Sequence, residues 1–177
     1  MSFKIVLLFG SISAIVISVF GEKCNREIAL MENFDITKMG GHWNVAFIGN
    51  EQKGKKKCMR GTNYAEVGKI IIDEVGLVDG IDENIVTTLT QIGSTSEFLT
   101  ESNEYPPTPC WLISTDYTSY AVWFVCSNGH KQDGIIYMCT RDVNPSDEVL
   151  KKAQDALLKA GLMIGDGYLF KIDHSNC

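Results

Sequence analysis

From Gly41 onward, apolar and polar positions alternate in short runs broken by turn residues, the period-two pattern of half-buried strands. Over 43–48, Trp43, Val45 and Phe47 alternate with Asn44, Ala46 and Ile48. Further runs cover 58–67, 69–75 (with Ile70, Ile71 and Ile72 consecutive), 85–92, 97–100, 110–114, 120–126 and 134–140. Asp79-Gly80 and Ser127-Asn128-Gly129 are turn signals. Pro106, Pro107 and Pro109 mark a loop, because proline has no N–H to give to a central ladder. Eight candidate strands, spaced at roughly 8–12 residues, predict an antiparallel sandwich or barrel.

The period changes once. Val149, Ala153, Leu157 and Ala160 recur at helical spacing. Asn144 suits the cap, Pro145 the first helical position, Asp147 and Glu148 the positive end of the dipole, and Gly161 the stop. A last strand over 167–172 leads to Cys177. The expected fold is mainly β: an eight-stranded antiparallel up-and-down β-barrel with a C-terminal helix packed outside and a short final strand.

The first segment stands apart. Lys4 precedes an apolar or small run over 5–20, and Val19-Phe20-Gly21 offers a small residue at a cleavage point, the plan of a secretory signal peptide. The run is shorter than the ~20 residues a spanning helix needs, and no second one follows, so no membrane span is expected. The division is residues 1–21 as signal peptide and 22–177 as one secreted, extracellular domain. With 22 acidic and 16 basic side chains the chain carries −6 at pH 7, which argues weakly against nucleic acid.

All six cysteines, Cys24, Cys58, Cys110, Cys126, Cys139 and Cys177, follow the signal, and an even count there reads as disulfides. Six allow fifteen pairings, and spacing does not choose among them. With no CxxC or HxxxH pair, zinc is not expected. Asp73, Glu74, Asp79, Asp82 and Glu83 are dense, yet Gly76 and Gly80 fall at the wrong offsets for a calcium loop, so no metal is expected. Lys53, Lys55, Lys56 and Lys57 read as a solvated charge run. No Gly-x-Ser-x-Gly, phosphate loop or Cys–His nucleophile spacing suggests an enzyme.

Three places in the chain resemble the lipocalins. Asn33-Phe34-Asp35 followed by Gly41-His42-Trp43 resembles the family's N-terminal plug and Gly-x-Trp. Thr115-Asp116-Tyr117 resembles its turn between the sixth and seventh strands, and Arg141 stands where the family places an arginine before the helix. In physical terms Gly41 permits a sharp turn, Trp43 stoppers the barrel, and Arg141 lies across the indole. The cysteines resemble the insect-type and apolipoprotein D-like branch, and the chain beyond Ser119 is similar to triatomine salivary lipocalins. That resemblance implies Cys24–Cys126 and Cys58–Cys177, with Cys110–Cys139 as a third bond.

The resemblance also implies a function. A barrel of eight strands encloses one small ligand, here lined by Phe47, Tyr64, Ala121, Trp123, Ile135 and Tyr137. The implied partner is a small lipophilic ligand (lipid, eicosanoid, pigment or amine), with no cofactor. Haem on a strand histidine, as in the bug nitric-oxide carriers, is not implied, since His42, His130 and His174 lie at the plug, a turn and the tail. Similarity to the salivary branch offers an alternative, an anti-haemostatic protein whose loops act on a host protease or platelet receptor; biogenic amines are a third class of partner.

Overall fold

The alternation that begins at Gly41 becomes a closed ring of strands in the computed structural model, which describes residues 28–49, 56–103, 106–126, 134–162 and 168–177. The expected signal peptide, Cys24, Lys53, Lys55, the Ser127-Asn128-Gly129 turn and His130 lie outside the described residues. A one-turn 3-10 helix, Ile36–Met39, leads into β1 (Gly41–Gly49), β2 (Lys56–Glu66), β3 (Lys69–Val78), β4 (Ile81–Gln91) and β5 (Glu97–Ser102). These are followed by β6 (Thr108–Thr115), β7 (Tyr120–Val125), β8 (Ile135–Thr140), the helix α1 (Asp147–Lys159) and β9 (Leu169–Lys171). Each of β1 to β8 pairs antiparallel with the next, and β8 returns to β1, so the eight close as an up-and-down barrel. Asp79 and Gly80 take φ of 52° and 82°, the two positive values a tight hairpin between β3 and β4 demands.

One end of the barrel is packed shut. Ile36, Met39, Trp43, Ile70, Leu89, Phe98, Leu112 and Ala121 form a buried floor, onto which Phe34 sets its ring edge against Phe98 at 5.9 Å. The Trp43 Nε1–H donates to the Met39 carbonyl at 3.0 Å, and the Asn63 amide donates to the same oxygen at 3.1 Å. Across the indole lies Arg141, its Cζ 3.7 Å from the ring centroid. Its nitrogens donate to the carbonyls of Gly40, His42 and Tyr117. Gly41 is required twice: its φ is +93°, and a Cβ there would sit 3.1 Å from Arg141 Nη1. The Thr115-Asp116-Tyr117 turn is wound around one carboxylate, for Asp116 accepts the N–H groups of Thr118, Ser119 and Tyr120. Tyr117, at φ 66°, stacks on Phe34 and accepts the Asp35 N–H.

Helix α1 covers the outside of the barrel, where Ala153 and Leu157 pack with Val122, Phe124, Ile136 and Met138. Its cap is Ser146, whose hydroxyl accepts the Val149 N–H, not Asn144 as expected. The competing cap residues stand two apart, and the Asn144 N–H is taken by Asp142. Pro109 is also a correction: it is the second residue of β6, not loop, tolerated because it lies at the strand's start.

The last strand mends a seam. Strands β1 and β2 pair only from Gly41↔Asn63 to Asn44↔Arg60, beyond which β9 takes the β1 edge at Phe47, Ile48 and Gly49. The tail continues the stitching, with Ile172 N–H donated to Ala46 and Cys58 N–H to Asp173, both at 3.0 Å. The Lys57 ammonium sits 2.9 Å from the Asp173 carboxylate, which hydrogen bonds from Ser175 and then Lys57 hold well below the usual range. Cys58 and Cys177 are disulfide-bonded across a separation of 119 residues. In the chain-entropy account a loop of that length is worth about 4–5 kcal/mol.

Arg141→Ala is expected to lower the free energy of unfolding by about 2–4 kcal/mol, since it removes a stacked cation and several charge-assisted hydrogen bonds. Arg141→Lys should recover only a minor part, because an ammonium cannot reproduce the planar fork. Urea titrations of the three proteins check this, and a loss under about 0.5 kcal/mol for the alanine variant would contradict the clamp.

Candidate functional site

Above the floor the barrel is hollow. A cavity of about 320 Å³ opens toward the end that carries the β3–β4 hairpin, at the lower edge of the roughly 300–1,000 Å³ usual for ligand pockets. Its lining follows strand parity: Ile72, Glu74 and Gly76 on β3, Ile85, Thr87 and Leu89 on β4, Cys110 on β6, Trp123 and Val125 on β7, and Ile135, Tyr137 and Cys139 on β8. The aromatic side chains come from β7, β8 and β1, while aliphatic ones, Ile72, Ile85 and Leu89 among them, are spread around the ring. Hydroxyls and carboxylates come from β3 to β6: Glu74, Glu83, Thr87, Thr100, Glu101 and Thr108. In an eight-membered ring β3 and β4 stand opposite β7 and β8, so the polar wall faces the aromatic one.

The residues proposed from sequence divide. Trp123, Ile135 and Tyr137 line the cavity. Ala121 also points inward but is fully buried in the packed floor, beneath the hollow. Phe47 does not point in. A bulge between Val45 and Phe47 inserts Ala46, which reverses parity, so Val45 lines the cavity while Phe47 packs outward against the helix-side cluster. Ile48 takes the inward position in its place, with Met59 and Ile172. Tyr64 is on the outer face, 53 % exposed beside Ile71, because Asn63 is the inward residue of that pair.

The cysteines need a correction as well. Cys110 and Cys139 are free, not bonded to each other. Strand β7 runs between their strands, and Cys110 faces Val125 on it while Cys139 faces Ala121, four residues along. Two strand spacings plus that offset exceed disulfide reach. Cys126 is disulfide-bonded, and its proposed partner Cys24 lies outside the described residues.

Sequence reasoning missed the ionisable interior. Glu74 projects into the cavity from mid-strand, where desolvation raises its pKa; the Thr87 hydroxyl beside it and the Lys56 ammonium farther off oppose that rise, and Glu83 adds to it. Cys139 borders the same space. Burial, and then the Glu74 charge, push its thiol up to about 12. Burial raises the Cys110 thiol further still. The signal for Glu74 was its even spacing from Ile70 and Ile72, but the Ile70-Ile71-Ile72 run leaves both faces of that strand equally apolar.

No protein-family model matches the chain, and no curated protein sequence does. Solved structures match it closely in shape. Lobster H1 crustacyanin from Homarus americanus superposes with a TM-score of 0.66 at 18% identity, covering 82% of this chain and 81% of that one. Insecticyanin from the tobacco hornworm Manduca sexta gives 0.68 at 13% identity, over 85% and 86%. The cockroach allergen Per a 4 gives 0.68 at 18% identity, over 89% of this chain and 98% of the other. The fold is that of a lipocalin. Within the lipocalin fold the plug, the tail disulfide and the outer helix are packed architecture; the hollow between Glu74 and Trp123 is the space they leave unfilled.

Both cavity thiols stay protonated at pH 8, so alkylation by N-ethylmaleimide is expected to be far slower in native protein than in urea, where free thiols titrate near ~8.5. Equal rates, followed by mass spectrometry, would contradict the burial. The Cys139 pKa is raised on folding, so its contribution is intact at neutral pH and is lost as pH climbs from the ordinary value of 9.0 toward about 12. The urea midpoint should fall over that range, with a shallower slope in Cys139→Ala.

Proposed function

We propose that this chain is a secreted carrier that holds one small, mainly apolar or amphipathic molecule inside its barrel and catalyses no reaction on it. The observation that carries this reading is the cavity itself, closed below by the packed floor and open above. A protein that only needed a stable barrel would fill that space, because an unfilled interior forfeits packing energy. The aromatic wall offers stacking area, and the facing hydroxyls offer hydrogen bonds that fix orientation.

Secretion is supported by the apolar N-terminal run and by disulfides that an oxidising compartment maintains. The Cys58–Cys177 bond supports a place near the apolipoprotein D-like branch of the lipocalins. The loop-directed, anti-haemostatic alternative is separated by the same variants. Inhibition of clotting or platelet aggregation that survives loss of the cavity belongs to the loops.

N-phenyl-1-naphthylamine, an uncharged fluorescent probe, is expected to bind at one site per chain. Trp123→Arg should weaken it at least tenfold by filling and charging the cavity. Tyr64→Ala, on the outer face, should leave the affinity within twofold. Binding that is the same in all three proteins, or none by any apolar probe, would overturn the carrier reading.

A further inference from the structure

Among the described residues the lining carries five acidic or basic side chains, and they are not evenly placed. Lys56, Glu83 and Glu101 sit on the upper ends of β2, β4 and β5, at the rim, and Arg60 on β2, paired with Val75, is exposed. Two cations and two carboxylates balance among these four. Glu74 is left over, among the described residues, as the single negative charge of the interior, halfway between the β3–β4 hairpin and the floor residue Ile70. Among the described residues no lysine or arginine closes an ion pair on it.

An acid in that position carries a cost. Taking a carboxylate out of water is unfavourable unless something within reach compensates it. Thr87 is one hydrogen-bonding partner and does not neutralise the charge, and the Lys56 ammonium acts on it without forming an ion pair. The space beside it is also kept clear. The cross-strand neighbour of Glu74 on β2 is Gly61, where a Cβ would stand 2.9 Å from Ile72 Cγ2 and 3.7 Å from Glu74 Cγ. On the far side of the hollow, β7 presents Trp123 and β8 presents Tyr137, the strands opposite β3 and β4 in the ring.

A carboxylate on one wall and aromatic faces on the other are the two groups that recognise an organic ammonium, by ion pairing and by attraction to the ring quadrupole. We propose that the cavity selects a small protonated amine with an aromatic body, its nitrogen held between Glu74 and Trp123 with Thr87 as a second acceptor. This assignment rests on the carrier reading and names the ligand class of the same site. The bound cation supplies the charge that Glu74 lacks in the empty barrel.

The test compares ligands of one shape and different charge. Isothermal titration with phenethylamine, 2-phenylethanol and 3-phenylpropanoate is run on the full mature chain and on Glu74→Gln, after N-phenyl-1-naphthylamine has shown each to be folded with a competent cavity. Wild type is expected to bind phenethylamine at least tenfold tighter than the alcohol, and the propanoate most weakly. In Glu74→Gln the amine-to-alcohol ratio should collapse toward one. Should that variant fail to fold, the wild type alone decides. Its amine affinity should fall as pH is lowered through the carboxyl range, while alcohol affinity stays flat.

Other charged or titratable groups that line the cavity are Glu83, Glu101, Lys56, Arg60 and the Cys110 and Cys139 thiols. The pH series is therefore repeated in Glu83→Gln and Glu101→Gln, and in both the fall should persist. A wild-type ratio near one, a ratio retained in Glu74→Gln, or a fall abolished by either rim variant overturns the amine assignment and leaves the carrier reading standing. Failure of every ligand, the uncharged probe included, removes the carrier reading itself.

Discussion

Ring closure depends on β1, which is bonded along both edges by three different partners. Strand β8 runs along one edge; β2 takes the first half of the other, and β9 takes the second half after the bulge at Ala46. An open sheet would leave a long unpaired edge, and a two-layer sandwich would press its faces together with no room between them. Closure around eight strands instead holds opposite walls apart, which is why Glu74 and Trp123 can face each other across empty space. The tail disulfide and the Lys57–Asp173 pair matter for the same reason, since they hold the segment that completes the seam.

The two ends of the barrel are built on different physics. At the floor every polar atom is answered: the indole N–H and the Asn63 amide share one carbonyl, and the Arg141 guanidinium is spread over several. Above it, hydroxyls, a carboxylate and two thiols face a hollow in place of packed protein. Groups held away from water without full compensation carry a free-energy cost. On the proposed carrier reading, ligand occupancy returns that cost. The interior of this barrel is thus polarised as well as greasy, a property that its overall charge of −6 does not convey.

Much of the architecture was legible along the chain because it is written locally. Alternation marked every strand of the ring, Asp79-Gly80 marked a hairpin, and Gly41, Trp43, Asp116 and Arg141 announced the plug by residue type and interval. Inward-facing positions were legible only where alternation ran unbroken, as at Trp123, Ile135 and Tyr137. Phe47 was misplaced by a single inserted residue, which leaves no trace in the hydrophobic pattern because Ala46, Phe47 and Ile48 are all apolar. Tyr64 was misplaced by analogy, although Gly61 and Asn63 already carried the inward parity of β2.

The sequence by itself determined the fold class, the strand and helix inventory and the plug, because turn chemistry, side-chain period and a few special residues act over short distances. Tertiary structure alone decided which carboxylate faces inward, that Cys110 and Cys139 stand too far apart to bond, and that the C-terminal tail fills the gap between β1 and β2. Those outcomes depend on bulges, register and ring closure. Each is a long-range condition that couples residues a hundred positions apart and leaves no local signature.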